Sequence, residues 1–311
     1  MSSVNRNRPK RAKSSESTYT VMDFVRDYPD DATCLDYLWR RLYSADGSMA
    51  ECPKCGKVRR FHRVTSRPSY SCDTCGHHLH PTAGTIFHKS STSLHLWFHA
   101  IFLMAQTRCG ISAKQLEREL GVTYKTAWRM FKQIRSMLDQ GDDPMGGTVE
   151  ADETYVGGKR RNATGRPGRG DAQKTPVFGI AQRGTDSSLG KVVAKVVPDA
   201  TGPSLMPHLR KRVLPASTVY TDEWKPYIAL GREGYSHSRI NHSQGVYVDG
   251  NVHTNTIEGF WALLKGGLRG VYHGVSAKHL QSYLDEYAFR YNHRDAPTGM
   301  FQTMLGQVIG G

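Results

Sequence analysis

The chain has 311 residues, with 42 Lys and Arg against 28 Asp and Glu and a formal charge of +14. That length allows about two domains and a substantial core, and a charge so positive calls for a polyanionic partner, nucleic acid being the simplest. The longest apolar-leaning run, Leu94 to Ala105, is too short to cross a bilayer and carries His95 and His99, so the sequence excludes a membrane protein and points to a cytoplasmic, nucleoid-associated one.

The first residues, MSSVNRNRPKRAKSSES, are basic and serine-rich and lack the apolar stretch of an export signal. They predict a disordered tail over 1–18. A short helical module follows over 19–50. Val21, Phe24 and Tyr28, then Cys34, Leu35, Leu38 and Leu42, recur at three- and four-residue intervals, with Asp30, Asp31 and Thr33 as N-cap candidates.

Residues 51–89 carry Cys52-Pro53-Lys54-Cys55 and Cys72-Asp73-Thr74-Cys75, separated by 16 residues. Two such knuckles can present four thiolates to one tetrahedral zinc, and a closed four-thiolate site is structural because no position is left open for chemistry. Short strands are expected at Arg59 to Val64 and Ser69 to Ser71. A core so small needs the metal for much of its folding energy. Arg59, Arg60, Arg63 and Arg67 give this zinc ribbon a basic face suited to phosphates. Cys34 and Cys109 stand apart from the pairs and are expected to pack as small apolar groups.

Residues 90–140 read as a helix-turn-helix DNA-binding domain. Leu94 to Met104 forms an apolar helix. Ser112 then caps a helix carrying Leu116 and Leu120, Gly121 allows a tight turn, and Thr123 caps a helix burying Ala127, Trp128, Phe131 and Ile134. That last helix exposes Tyr124, Lys125, Arg129 and Lys132, residue types that reach phosphates and base edges of double-stranded DNA.

After a GDDPMGG linker, residues 148–311 alternate. Strands are expected at Thr148 to Tyr155, Pro176 to Ala181, Lys191 to Val197, Thr218 to Thr221 and Tyr235 to Ile240. Helices are expected at Ser204 to Val213, Thr256 to Lys265 and Lys278 to Tyr291. The result is a meander followed by mixed α/β layering. The Gly- and Arg-rich stretch from Gly157 to Lys174 reads as a basic loop, and its glycines lack the GK[ST] ending of a phosphate-cradling loop.

Three acidic segments carry the chemistry. On the first strand Glu150 and Asp152 share one face, and Val149 and Ala151 the other. Asp222 ends the short strand Thr218 to Thr221. Glu258 lies on a helix that Asn255 could cap, with Lys265 two turns along the same face and Ile257, Trp261 and Leu264 as its apolar stripe. Oxygen ligands without a His or Cys pattern favour magnesium or manganese. Asp152 and Asp222 would be shared ligands of two ions, Glu258 would complete the second ion's shell, and Lys265 and Arg269 would hold DNA phosphates.

These segments, quoted as VEADETYVGGK, VYTDEWKPY, HTNTIEGFWALLKGGLRGVYHGVS and FRYNHR, together with the four cysteines, resemble the bacterial insertion-sequence transposases of the DDE superfamily. The similarity is to the group with a zinc ribbon ahead of a ribonuclease-H-like catalytic domain. The resemblance implies an α/β fold whose mixed sheet is flanked by helices. It also implies that the catalytic triad falls on Asp152, Asp222 and Glu258, with the first two acids on neighbouring strands. The implied activity is binding of terminal inverted repeats, cleavage to free 3′-hydroxyl ends, and joining of those ends to target DNA. Two ends held together imply a homo-oligomer. Two rival readings stay open: a DNA-binding regulator with an inactive catalytic domain, and a metal-dependent nuclease that cuts without joining.

Overall fold

The computed structural model describes residues 19–107, 109–139, 141–157, 174–185, 190–222, 227, 230–231, 233–239 and 253–308. The expected tail over 1–18 and the basic stretch over 158–173 lie outside them. The chain divides into two compact units, Met1–Gln106 with His293–Gly311, and Thr107–Asn292.

In the first unit, α1 (Val21–Asp27) starts with a capping box between Thr20 and Asp23. Asp30 caps α2 (Asp31–Leu42) by accepting from the Thr33 amide. A four-stranded antiparallel sheet follows in chain order, β1 (Met49–Cys52), β2 (Lys57–Val64), β3 (Ser69–Cys72) and β4 (His78–Leu79). Trp39 joins α2 to this sheet, its ring stacked 4.1 Å from Tyr70 and its indole nitrogen donating to the Gly47 carbonyl at 2.9 Å. The apolar α3 (Leu94–Gln106) packs against α2 and against α9 (Gly299–Gln307), through rings of Phe24, Tyr28, Phe102 and Phe301.

The second unit begins with α4 (Ala113–Leu120) and α5 (Tyr124–Ser136). Ser112 and Thr123 cap them, and Gly121 ends α4 in the left-handed region at φ +65°, a conformation that favours glycine. A five-stranded mixed sheet follows, in the order β7-β6-β5-β8-β9. The strands are β5 (Thr148–Val156), β6 (Thr175–Gln182), β7 (Val192–Val196), β8 (Thr218–Thr221) and β9 (Ser236–Arg239). β5, β6 and β7 form an antiparallel meander, and β8 and β9 add in parallel on the other edge of β5.

Helices cover both faces, which is why β5 to β7 bury side chains of both parities. Val149, Ala151, Phe178 and Ile180 pack with Leu205, Met206 and Leu209 of α6 (Gly202–Arg212). Val177, Ala181, Val192 and Ala194 pack with Ile257, Phe260, Trp261 and Leu264 of α7 (Asn255–Gly270) and with Leu280 and Leu284 of α8 (Ala277–Asn292).

Of the two compact units, the first takes in α3 and α9, where Phe301 closes its aromatic core, and the second α4 and α5. Several expectations about single elements and residues need correction. The ribbon has β1 and β4 besides the two expected strands. Trp128 is 38% exposed, and Met130 takes its expected place in the buried stripe of α5. Cys109 is exposed, whereas Cys34 is buried as expected. Thr254, not Asn255, is the N-cap of α7.

Candidate active site and metal centre

The metal centre is built by two matching turns. In each, the amide of the glycine after the second cysteine donates back to the carbonyl of the first, Gly56 to Cys52 at 2.8 Å and Gly76 to Cys72 at 3.0 Å. Both glycines have positive φ, 61° and 68°, which lets the chain close the knuckle. The four sulfurs lie within 4.8 Å of one another, with Cys52 and Cys75 Sγ 3.6 Å apart. Tetrahedral Zn–S bonds of about 2.3 Å place sulfurs about 3.8 Å apart, so the set fits zinc. Burial opposes ionisation of Cys52, but N–H groups of Cys55 and Lys54 and the Cys75 thiol outweigh it and pull the thiol down to about 7. His78 is turned aside, its Nδ1 3.2 Å from Ser69 Oγ.

The three acids of β5 meet three different surroundings. Glu150 is fully buried and accepts from the amides of Thr256 and Ile257 at 2.8 and 3.0 Å, from Thr256 Oγ1 at 2.9 Å and from Arg183 Nε at 2.6 Å. Glu153 accepts from the buried Tyr227 hydroxyl at 2.9 Å. Asp152 lies opposite Gly179 of β6, and its Oδ2 accepts from Trp261 Nε1 at 2.9 Å. Burial first, then the neighbouring Glu153 and Asp222 carboxylates, push the Asp152 carboxyl up to about 7 against the opposing Trp261 bond.

Asp222 directly follows β8, the parallel neighbour of β5, so the first two acids stand on adjacent strands and within electrostatic reach. Glu258 is exposed on α7, and Thr254 Oγ1 donates to it at 2.7 Å. Among the described residues, the four thiols are the only group of three or more candidate metal ligands drawn within 4.8 Å, so Asp152, Asp222 and Glu258 do not form so tight a cluster. Outer ligands of a two-ion site sit on different ions and can stand up to about 8 Å apart. The crowding of carboxylates around Asp152 is itself the arrangement that hard cations relieve, and the donor set is all oxygen.

Lys265 lies two turns beyond Glu258. Burial lowers its pKa first, the field of Asp152 raises it, and Arg269 lowers it. Lys265, Arg269 and His273 line an open cleft of about 580 Å³ together with Tyr155, Val156 and Gly157 at the end of β5.

Residues 144–292 match the ISXO2-like transposase domain. An uncharacterized protein in the transposable element ISH50 of Halobacterium salinarum is 33% identical over 256 residues, covering 77% of this chain and 84% of its own. The chain belongs to the insertion-sequence transposases of the DDE superfamily. An uncharacterized transposase-like protein of Haemophilus influenzae is also 33% identical, over 39% of this transposase and 95% of its own length. A chain of the simian T-cell lymphotropic virus intasome in complex with PP2A regulatory subunit B56 gamma overlaps 60% of the transposase and 66% of its own length. It does so at 16% identity and a TM-score of 0.28, too low to bear on the fold.

On α5 of the transposase, Tyr124, Lys125 and Lys132 are exposed and Arg129 is half-buried. The exposed Trp128 ring has Lys132 Nζ 5.8 Å from its centroid and the His279 ring edge-on at 5.4 Å. The buried side of α5 carries a charge cluster that sequence reading missed. Arg135 donates to Glu286 of α8 at 2.7 Å, and Arg290 donates to the same carboxylate at 2.9 Å. Both arginines and Glu286 are buried. The Glu286–Arg290 pair is visible as an i,i+4 spacing, but its junction with Arg135 is not, because Arg135 stands 151 residues from Glu286 in sequence.

Proposed function

We propose that the protein is an active DNA transposase whose Asp152, Asp222 and Glu258 hold two magnesium or manganese ions. The reading rests chiefly on one observation: Asp152 and Asp222 stand on adjacent strands within electrostatic reach of one another, and α7, which carries Glu258 and Lys265, is hydrogen-bonded to Asp152 through Trp261. The sheet order, with a meander on one side of β5 and parallel strands on the other, supports a ribonuclease-H-like core. Bound there, such ions would activate a water or a 3′-hydroxyl and stabilise the leaving oxygen in phosphodiester displacement.

The chain's own groups do the rest. Trp261 fixes the rotamer of Asp152 and, as a hydrogen-bond donor, favours its ionised form. Lys265 and Arg269 hold a DNA phosphate in the cleft at the end of β5. The α4–α5 pair acts as a helix-turn-helix, with Tyr124, Lys125, Arg129 and Lys132 facing the terminal inverted repeat of double-stranded DNA. The four-cysteine site holds a structural zinc, and the ribbon's arginines add phosphate contacts. The enzyme works as a homo-oligomer, because two element ends must be held together for joining.

The test is incubation of the full chain with duplexes ending in the element's inverted repeat, plus magnesium or manganese, reading nicked and joined products separately. Both products are expected. Binding without nicking would favour a regulator, and nicking with no joined product, even when pre-cut ends are supplied, a nuclease.

A further inference from the structure

We propose that Glu150 is a positioning residue: its buried carboxylate holds the N-terminus of α7 and so sets where Glu258 and Lys265 stand relative to Asp152. The proposal deepens the transposase reading and rests on it.

An N-cap side chain ordinarily satisfies the second and third amides of a helix. In α7 the cap, Thr254, makes no such bond, and its hydroxyl donates instead to Glu258. The second and third amides, of Thr256 and Ile257, go to Glu150 Oε2, a group more than a hundred residues away in sequence. Thr256 Oγ1 and Arg183 Nε occupy Oε1. A carboxylate has about four lone-pair sites, and four donors fill these, so Glu150 has no oxygen left for a cation although it shares the face of Asp152. Its negative charge at the start of a helix is favourable in its own right.

Arg183 extends the clamp. Its terminal nitrogen Nη2 reaches the His253 carbonyl at 2.6 Å and His253 Nδ1 at 2.8 Å, which fastens the residue just ahead of the cap. α7 is thus pinned to β5 twice, by Glu150 at its first turn and by the Trp261–Asp152 bond one turn later. Glu258 lies between the two pins, immediately after Ile257. A pivot of α7 on losing the first pin moves Glu258 while leaving Asp152 on its strand.

The experiment compares full-length wild type with Glu150→Gln, which keeps the side chain's size and one acceptor. Joining of a pre-cut inverted-repeat duplex is titrated with Mn²⁺, duplex affinity is measured separately, and amide exchange is followed without metal. The expected result is a rise of roughly 10- to 100-fold in the Mn²⁺ concentration for half-maximal joining, as for loss of a residue that orients metal ligands. Duplex affinity should hold, and the Thr256 and Ile257 amides should exchange faster while those of β6 do not. An unchanged Mn²⁺ midpoint, with joining falling only as the folded fraction falls, would overturn the proposal, as would unchanged exchange at those two amides. If wild type itself joins nothing, the transposase reading fails, and the exchange measurement alone decides the clamp.

Discussion

Asp152 and Gly179 face each other across the β5–β6 pair, and the indole of Trp261 lies over the glycine while its Nε1 binds the aspartate. A Cβ at position 179 would sit 2.4 Å from Trp261 Cζ2 and 2.8 Å from Ile257 Cδ1. The strand is bare there because α7 comes down onto it.

Gly179→Ala should therefore damage catalysis through Trp261. The new methyl displaces the indole, breaks the bond to Asp152, and destabilises the unit by about 1–3 kcal/mol, the usual cost of overpacking. Trp261→Phe should lose joining activity with a smaller stability change, because the ring still packs while the donor is gone. Urea unfolding and joining assays on the two variants check this. Full activity in Gly179→Ala would show that the indole–aspartate contact is dispensable.

Burial and like charges raise the Asp152 carboxyl to about 7. A carboxyl whose folded pKa lies above its unfolded value favours folding when protonated, so its ionisation costs stability as pH rises through about 7. The metal-free protein should lose melting temperature between about pH 4 and about pH 7 and level off above that, Asp152→Asn should lessen that loss, and Mn²⁺ should reverse it in wild type only. Joining at limiting Mn²⁺ should rise as pH passes through about 7, where the folded carboxyl ionises, and Trp261→Phe should move that rise to higher pH. Calorimetry with and without Mn²⁺ reads the first effect, and initial rates read the second.

Glu286 is buried between Arg135 and Arg290, and despite burial their charges hold its carboxyl below the usual range. A lowered folded pKa means stability that is present above the unfolded pKa and lost as pH falls through the folded one. Glu286→Gln strands two buried guanidinium groups and should cost about 3–5 kcal/mol at pH 7. Its penalty relative to wild type should shrink toward pH 3, as measured by urea unfolding across pH.

Zinc removal should act on the ribbon. Chelation is expected to release about one zinc per chain and to unfold the segment from β1 to β4, because a core this small depends on its metal. Metal analysis and amide exchange over residues 49–79 check it. A ribbon that keeps its protection without zinc would show that packing around Trp39 and Tyr70 suffices.

Much of this architecture is legible in local pattern. The cysteine pairs, the alternation along β5, and the Ser112, Gly121 and Thr123 signals each determine structure within a few residues, and the corresponding elements form where they are expected. What stays hidden is set by distant partners. Trp128 is spaced like a core residue, yet Met130 fills that place. Asn255 looks like a cap, but the α7 amides are satisfied from β5. Three acids within four residues of β5 look interchangeable in sequence. Only the fold separates Glu150 under α7, Asp152 beside Trp261 and Glu153 beneath Tyr227.

The central claim is that Asp152, Asp222 and Glu258 jointly hold hard divalent ions. The most direct measurement counts Mn²⁺ bound to the duplex-loaded chain by electron paramagnetic resonance, in wild type and in Asp152→Asn, Asp222→Asn and Glu258→Gln. The account predicts about two ions per chain in wild type and at most about one in each variant. Wild type that binds none, or variants that bind as many as wild type, would contradict it.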